Sequence, residues 1–225
     1  MTETQCVYIV DDDSAVRDAL AILVKSVNLQ AREFSSADQF LENFDRQQPG
    51  CLITDVYMPG TDGVALQKRL IELGSRLPVI VMSGHGDIPL AVKMIRMGAV
   101  NFIEKPFSNH QVLEHVQRAL QLDTEQRIKA KKIDQSQQYY ETLTPREKEV
   151  LEYLISGVSN KAIANKMEIS PRTIETHRAN VLRKMKVESV VSLVQKVTNI
   201  QLSSDNKYPA NKMLTRYLDI PPYNY

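Results

Sequence analysis

The residues best suited to chemistry are carboxylates, a serine and a lysine at the ends of short apolar runs. They are Asp11, Asp12, Asp55, Ser83 and Lys105. Clustered carboxylates repel one another and favour a hard divalent cation with oxygen ligands, so we expect Mg²⁺. Beside that cation, Asp55 could attack phosphorus as a carboxylate nucleophile and form an aspartyl phosphate. The cation and Lys105 would neutralise the equatorial oxygens, and Ser83 could donate a hydrogen bond to the attached phosphoryl group.

This chemistry requires a fold that brings distant residues together, and the apolar pattern predicts one. The predicted strands are 6–10, 30–34, 51–55, 78–83 and 99–103. The predicted helices between and after them are 14–27 with Ser14 as its cap, about 36–46, 64–74, a segment ending at 97–98, and about 108–120. Five strands alternating with five helices predict an α/β doubly wound domain with a five-stranded parallel sheet. Because parallel strands end at one edge, the polar residues would converge there.

Each of these residues also has an ordinary structural explanation. The run Asp11–Asp13 could cap a helix, Ser83 could form a turn, and Lys105 could be a solvated surface charge. Their shared position at one predicted sheet edge favours a site over these separate explanations.

The C-terminal part of the chain has helical periodicity without strands. Thr144 is expected to cap a helix, with Pro145 at its first position and Glu147 completing a capping box. Three further helices are predicted, from 159 or 160 to 167, at about 171–185 and at about 189–199. Two short capped helices joined by a tight turn predict a helix-turn-helix in an all-α, four-helix domain.

The predicted helix 171–185 has two faces of different composition. Apolar residues dominate the inward face, which carries Ile174, Arg178, Val181 and Met185, with His177 and Leu182 at its margins. The outward face is small, polar and basic, and carries Arg172, Glu175, Thr176, Ala179 and Arg183. Such a face could read base edges in a major groove. The pattern alone leaves open that it is the solvated surface of a helical bundle.

Charge is unevenly distributed along the 225 residues. Residues 1–122 hold 11 basic and 15 acidic residues, a net charge of −4, whereas residues 141–202 hold 10 and 7, a net charge of +3. A basic C-terminal part is consistent with a nucleic-acid partner. The two cysteines, Cys6 and Cys51, form no CxxC pair, which argues against a disulfide framework or a zinc site. No segment reads as a signal peptide or a bilayer span, so we expect a soluble, cytoplasmic protein.

Four motifs resemble the receiver domain of two-component response regulators, over about residues 5–120. They are Val10-Asp11-Asp12-Asp13, Thr54-Asp55-Val56-Tyr57-Met58-Pro59-Gly60, Ser83-Gly84-His85-Gly86 and Lys105-Pro106-Phe107. The resemblance implies a flavodoxin-like fold with Asp55 as phosphoacceptor and Lys105 as phosphate partner. It also implies that Mg²⁺ is bound by Asp12, Asp55 and the main-chain carbonyl of Tyr57, with Asp11 in the outer shell.

The same resemblance implies a conformational switch. Ser83 would supply the switch hydroxyl and Phe102 the switch aromatic, at a place often held by Tyr. Because Phe lacks the hydroxyl, the switch would work by ring packing alone. Phosphorylation is then expected to cause dimerisation through the surface of the fourth helix and fifth strand, near Val92, Met94 and Ile95.

Two classes of enzyme fit these motifs poorly. A haloacid-dehalogenase-type phosphatase needs a second Asp two residues after the nucleophile, where this chain has Tyr57. A dinucleotide-binding fold needs GxGxxG after the first strand, where this chain has Asp11–Asp13, and the sequence contains no P-loop.

The C-terminal helices resemble a LuxR/NarL-type DNA-binding domain over about residues 138–202. The motifs are Leu143-Thr144-Pro145-Arg146-Glu147, Ser159-Asn160-Lys161-Ala162-Ile163-Ala164 and Ser170-Pro171-Arg172-Thr173-Ile174-Glu175-Thr176-His177. With the receiver motifs, they resemble the FixJ type of regulator. The resemblance places bases near Glu175, Thr176 and Ala179, and phosphates near Asn160, Lys161, Arg178 and Lys184. The DNA-facing set is completed by Arg172, Thr173 and Arg183.

The sequence therefore predicts a receiver domain at 1–122, a linker at 123–140, a helix-turn-helix domain at 141–202 and an unassigned tail at 203–225. The linker could continue the preceding helix. The expected function is a response regulator that accepts a phosphoryl group on Asp55 from a sensor histidine kinase and regulates transcription at double-stranded promoter DNA. We expect a homodimer when phosphorylated, RNA polymerase as a further partner, and no enzyme activity beyond Mg-dependent phosphorylation and dephosphorylation of itself. The alternatives are a signal relay whose C-terminal part docks protein, and a metal-dependent phosphatase.

Overall fold

The computed structural model describes residues 5–84 and 88–204. The chain divides into two compact units, Met1–Ile128 and Lys129–Tyr225. Within the described ranges, no helix is long and apolar enough to cross a membrane. His85 and Gly86 of the third receiver motif, and the predicted tail after residue 204, lie outside the described residues.

The first unit contains a five-stranded parallel sheet with the order β2-β1-β3-β4-β5, which confirms the predicted doubly wound α/β fold. The strands are β1 Cys6–Val10, β2 Gln30–Phe34, β3 Gly50–Asp55, β4 Val79–Ser83 and β5 Asn101–Glu104. Both faces of the sheet carry an apolar core, so its central strands β1, β3 and β4 are buried along their whole length. In β1, Tyr8 packs into one core, whereas Val7 and Ile9 pack into the other.

Helices cover both faces of this sheet. Those in the described ranges are α1 Ser14–Ser26, α2 Ala37–Asn43, α3 Gly63–Glu72, α4 Ile88–Arg96 and α5 Asn109–Glu141. The carboxylate of Asp13 accepts a hydrogen bond from the amide of Ala15 and caps α1. The prediction that Ser14 is the cap is therefore wrong, because Ser14 is the first residue of the helix.

The helix α5 continues to Glu141, beyond the predicted end near residue 120, which is the alternative in which the linker continues the preceding helix. The predicted linker 123–140 is therefore helical. No glycine or proline interrupts it, and pairs one turn apart support it, such as the ion pair of 2.8 Å between Asp123 and Arg127. Asp123 also accepts a hydrogen bond of 3.0 Å from the amide of Gly50, so the first turns of this segment pack against the first unit.

The second unit is helical, as predicted, with helices α6 Pro145–Ile155, α7 Asn160–Met167, α8 Pro171–Lys184 and α9 Val190–Ser204. The predicted capping box is confirmed. The amide of Glu147 donates to Thr144 Oγ1, and the amide of Thr144 donates to Glu147 Oε2. Ser159 caps α7 and Ser170 caps α8 through their side-chain oxygens. Apolar residues from all four helices form one core.

Candidate functional site

Four of the predicted site residues lie at the carboxyl edge of the sheet. Asp55 ends β3 and Ser83 ends β4, whereas Asp11 and Lys105 directly follow β1 and β5. The strands β1 and β3 are neighbours although β2 lies between them in sequence, so this edge contains a topological switch point. Open α/β sheets bind ligands in the crevice outside such a point.

The ammonium group of Lys105 joins the two aspartates. Its Nζ atom lies 2.8 Å from Asp11 Oδ2 and 3.1 Å from Asp55 Oδ2. The side chain of Asp11 is fully buried, and those of Asp55 and Lys105 are 12% and 20% exposed. One cation therefore faces two carboxylates in a site that is only partly open to solvent.

Backbone amides bind the other oxygen of each carboxylate. Asp11 Oδ1 accepts a hydrogen bond of 2.9 Å from the amide of Asp13. Asp55 Oδ1 accepts one of 2.8 Å from the amide of Val56. Each aspartate is thus held with one oxygen toward the main chain and the other toward Lys105.

The sequence interpretation missed two residues that support the site. Arg17 donates a hydrogen bond of 2.7 Å to the carbonyl oxygen of Asp11. Gly63 lets α3 approach β3 closely, because a Cβ atom there would lie 2.3 Å from the carbonyl oxygen of Asp55. The position of Gly63 directly after the helix cap Asp62 could have indicated its role, whereas nothing in the sequence marked Arg17.

The pKa of Asp55 is raised above its ordinary value. Burial raises it, and the hydrogen bond and charge of Lys105 offset that effect only in part, while the nearby charge of Asp11 raises it further. Burial lowers the pKa of Lys105, but its hydrogen bonds and charge interactions with both aspartates outweigh this and raise it overall. The lysine therefore stays charged and does not fully compensate the buried carboxylate of Asp55.

Three carboxylates at this edge could hold a cation. Oxygen atoms of Asp11, Asp12 and Asp55 lie within 4.8 Å of one another, and Asp12 is exposed. A donor set made of oxygen atoms, with an excess of negative charge, fits a hard divalent ion such as Mg²⁺. Tyr57, whose main-chain carbonyl is the predicted further ligand, lies two residues beyond β3 with its side chain exposed.

The predicted switch residues lie on neighbouring strands. Ser83 is fully buried, and its carbonyl oxygen accepts a hydrogen bond of 2.7 Å from the amide of Lys105. Phe102 is half-buried and packs against the core on one face of the sheet. The positions are compatible with a switch, and the switch roles of both residues stay predictions.

The surface of α4 differs from the prediction at one position. Val92 and Ile95 are 44% and 45% exposed, as a surface for dimerisation requires. Met94 is fully buried in the core, so its predicted place on that surface is wrong. The residue lies between two exposed neighbours because the helix turns it toward the sheet.

The helix α8 has the two faces that the sequence predicts. Three apolar residues of the inward face are fully buried, namely Ile174, Val181 and Met185, the last of which directly follows the helix. The residues of the outward face are exposed, namely Arg172, Thr173, Glu175, Thr176, Ala179 and Arg183. Lys161 is exposed on α7. This surface has the polar and basic composition of one that meets nucleic acid.

Three of the predicted phosphate contacts have partners within their own unit. Arg178 Nη1 donates a hydrogen bond of 3.4 Å to Asn160 Oδ1. Lys184 Nζ donates one of 2.6 Å to Glu147 Oε2 and one of 3.2 Å to the carbonyl oxygen of Thr142. Lys184 is thus held at the end of α8 by its own unit, and its contact with a phosphate stays a prediction.

Known protein families match both parts of the chain. Residues 7–117 match the response regulator receiver domain, and residues 141–197 match the luxR family of bacterial regulatory proteins. The response regulator protein TodT of Pseudomonas putida is 46% identical over 189 residues, which are 84% of this chain and 83% of the relative. The transcriptional regulatory protein FixJ of Bradyrhizobium diazoefficiens is 41% identical over 196 residues, 87% of this chain and 95% of the relative.

Solved structures agree with this assignment. The response regulator StyR superposes with a TM-score of 0.76 at 37% identity, over 87% of this chain and 98% of that one. Full-length FixJ from B. japonicum superposes with a TM-score of 0.55 at 38% identity, over 89% and 99%. Two family matches in the order receiver then luxR, together with these relatives, cover the chain from the aspartate site to the helix-turn-helix. The chain therefore belongs to the transcriptional response regulators that carry a receiver domain and a LuxR-family DNA-binding domain, and it is not a classical enzyme.

Proposed function

We propose that Asp55 accepts a phosphoryl group from a sensor histidine kinase and that this controls DNA binding by the C-terminal unit. The observation that carries the proposal is the ammonium group of Lys105, which lies between Asp11 and Asp55. A cation in that place can pair with a phosphoryl group on Asp55. The protein would act in the cytoplasm, on promoter DNA and together with RNA polymerase.

The geometry of the site supports a direct transfer of the phosphoryl group to Asp55. A carboxylate oxygen of Asp55 attacks the phosphorus atom, the bond from phosphorus to the histidine nitrogen breaks, and the leaving imidazole takes up a proton. Lys105 would neutralise the phosphoryl oxygens, and Ser83 would donate a hydrogen bond to them. Bound Mg²⁺ would supply further positive charge. Its proposed ligands are Asp12, Asp55 and the main-chain carbonyl of Tyr57, with Asp11 beside them.

Labelling with a phosphohistidine kinase or acetyl phosphate, in the presence of Mg²⁺, tests the nucleophile. The full chain should gain one acid-labile phosphoryl group, and Asp55→Asn should abolish the labelling because an amide is not a nucleophile here. Asp62→Asn is the matched control, since Asn also caps a helix and α3 would keep its start. Undiminished labelling of Asp55→Asn would refute the assignment.

The exposed face of α8 is the proposed DNA-reading surface, because recognition helices read bases with the residues they direct into the major groove. Lys161 lies in the first turn of α7, where an exposed cation can meet a phosphate. Lys161→Ala should weaken binding to all sequences alike and lower the slope of log affinity against log salt by about one. Lys68→Ala removes an exposed lysine from the receiver unit and should leave the slope unchanged. A changed sequence preference in Lys161→Ala would contradict the phosphate role.

We infer that phosphorylation promotes dimerisation through α4. Val92 and Ile95 are exposed there, and apolar side chains at a surface favour association. Sedimentation with and without a phosphoryl mimic should detect the dimer, and Val92→Asp should weaken it. Ile71→Asp, at an exposed position on α3, is the control. A chain that stays monomeric while its DNA binding increases would instead favour a mechanism in which phosphorylation releases the second unit from the first.

A further inference from the structure

The centre of the outward face of α8 carries three exposed side chains that offer no ready hydrogen-bond donor. They are Glu175, Thr176 and Ala179. An ionised carboxylate only accepts hydrogen bonds, and an alanine offers only a methyl group. We call these three residues the central strip of α8. Whether the strip contains a hydrogen-bond donor depends on the hydroxyl of Thr176.

The hydroxyl proton of Thr176 is already used. Thr176 Oγ1 donates a hydrogen bond of 3.1 Å to the carbonyl oxygen of Arg172, one turn earlier in the same helix. A hydroxyl has a single proton, so Thr176 presents a methyl group and oxygen lone pairs to its surroundings. The strip is thus acceptor-only and apolar.

The basic side chains near the strip lie at its borders or are engaged. Arg178 donates to Asn160, and Arg183 Nη2 donates to Asn180 Oδ1 at 3.3 Å. Arg172 is exposed in the first turn of α8, before the strip. Donors therefore flank the strip, and acceptors occupy its centre.

We propose that the centre of α8 selects cytosine through Glu175, an inference that rests on the proposed DNA-binding function. In the major groove, cytosine presents only its N4 amino donor. Guanine presents the acceptors O6 and N7, which a carboxylate repels, and adenine places the acceptor N7 beside its amino group. The methyl groups of Thr176 and Ala179 suit the methyl group of a neighbouring thymine.

The proposal predicts a change of specificity from one nearly isosteric substitution. Glu175→Gln replaces the carboxylate with an amide, which both accepts and donates, and adenine N6 and N7 match that pair. The full chain, treated with a small-molecule phosphodonor, would be used to select bound sequences from a random pool of duplex DNA. Wild type should enrich cytosine over other bases about tenfold at one position of each half-site, and Glu175→Gln should enrich adenine at that position.

Glu152→Gln is the matched control, since it removes one negative charge from an exposed position on α6. It should keep the wild-type motif. An unchanged motif in Glu175→Gln, or a guanine at the position that this substitution alters, would overturn the inference while leaving DNA binding intact. Selection that enriches no motif with any of the three proteins would instead overturn the proposed function.

Discussion

Each unit of this protein holds a half-buried lysine against one or two carboxylates, and the two clusters differ in how their charges balance. In the receiver unit, Lys105 faces both Asp11 and Asp55. In the second, DNA-binding unit, which we call the output unit, Lys184 faces Glu147 alone. Its Nζ atom lies 2.6 Å from Glu147 Oε2. The first cluster has an excess of negative charge, whereas the second is an ion pair of equal and opposite charges.

The hydrogen bonds to the glutamate of the output pair meet at one of its oxygen atoms. Glu147 Oε2 accepts from Lys184 and from the amide of Thr144, and Lys184 also donates to the carbonyl oxygen of Thr142. The side chain of Glu147 is only 5% exposed. This pair fastens the start of α6 to the end of α8 and leaves no charge for a ligand to neutralise.

The pKa values of the two acids shift in opposite directions for this reason. Burial raises the pKa of Asp55, and Lys105 compensates only in part. Burial also acts to raise the pKa of Glu147, but the hydrogen bonds from Lys184 and Thr144 outweigh it and lower the pKa overall. Similar groups thus form a cluster with an unbalanced negative charge in one unit and a balanced structural link in the other.

The largest expected effect is the loss of the output pair. Lys184→Met should destabilise the second unit by about 2 kcal/mol, because it leaves a buried carboxylate without its charged donor. Urea denaturation, with hydrogen exchange of the α6 and α8 amides to locate the loss, measures it. Lys161→Met removes an exposed lysine from the same unit and should change stability little. Equal effects of the two substitutions would show that the pair is not structural.

The second-largest expected effect is that Mg²⁺ stabilises the unit with one cluster and not the unit with the other. At ten times its dissociation constant, Mg²⁺ should stabilise the first unit by about 1.4 kcal/mol and leave the second unit unchanged, because of the two clusters only the first has more carboxylates than cations. Hydrogen exchange with and without Mg²⁺ resolves the two units. Asp12→Asn should reduce the response, whereas Asp13→Asn keeps the cap of α1 and should retain it. Equal stabilisation of both units would remove the proposed distinction.

The receiver site could be predicted from the sequence because the parallel arrangement of the strands determines which residues meet there. Asp11, Asp55 and Lys105 stand at strand ends, and the ends of parallel strands meet at one edge whatever the loops between them do. The capping box at Thr144 and Glu147 was equally local, since both residues lie within one helical turn.

Contacts between distant helices could not be predicted in the same way. Lys184 lies 37 residues from Glu147, and nothing in helical periodicity fixes how α6 and α8 pack. A lysine at the end of a recognition helix therefore looked like a phosphate contact, and its partner emerged only from the tertiary structure. The sequence left the continuation of α5 open for a related reason: the polar composition of residues 123–140 is typical of a linker, whereas contacts such as those of Asp123 support the start of that segment as helix.

The smallest expected effect is a pH dependence of the output pair. The pKa of Glu147 is lowered in the folded state, so the stability that the pair contributes is present above the pKa of an unfolded glutamate, about 4.3. That contribution is lost as the pH falls through the lower, folded-state pKa. The difference in unfolding free energy between wild type and Lys184→Met should therefore shrink on acidification from pH 6, and urea titrations at several pH values measure it.

Comparing wild type with the variant makes this test specific, because the other carboxylates of the chain titrate in both proteins and cancel. In Lys184→Met, burial still disfavours the charged form of Glu147, and no lysine opposes that effect. Protonation of Glu147 should therefore increase the stability of the variant and not decrease it. The two effects on stability have opposite signs, so both of them reduce the difference between wild type and variant. A difference that stays constant down to pH 3 would mean that Glu147 does not titrate against Lys184, and the contrast between a balanced and an unbalanced cluster would lose its electrostatic basis.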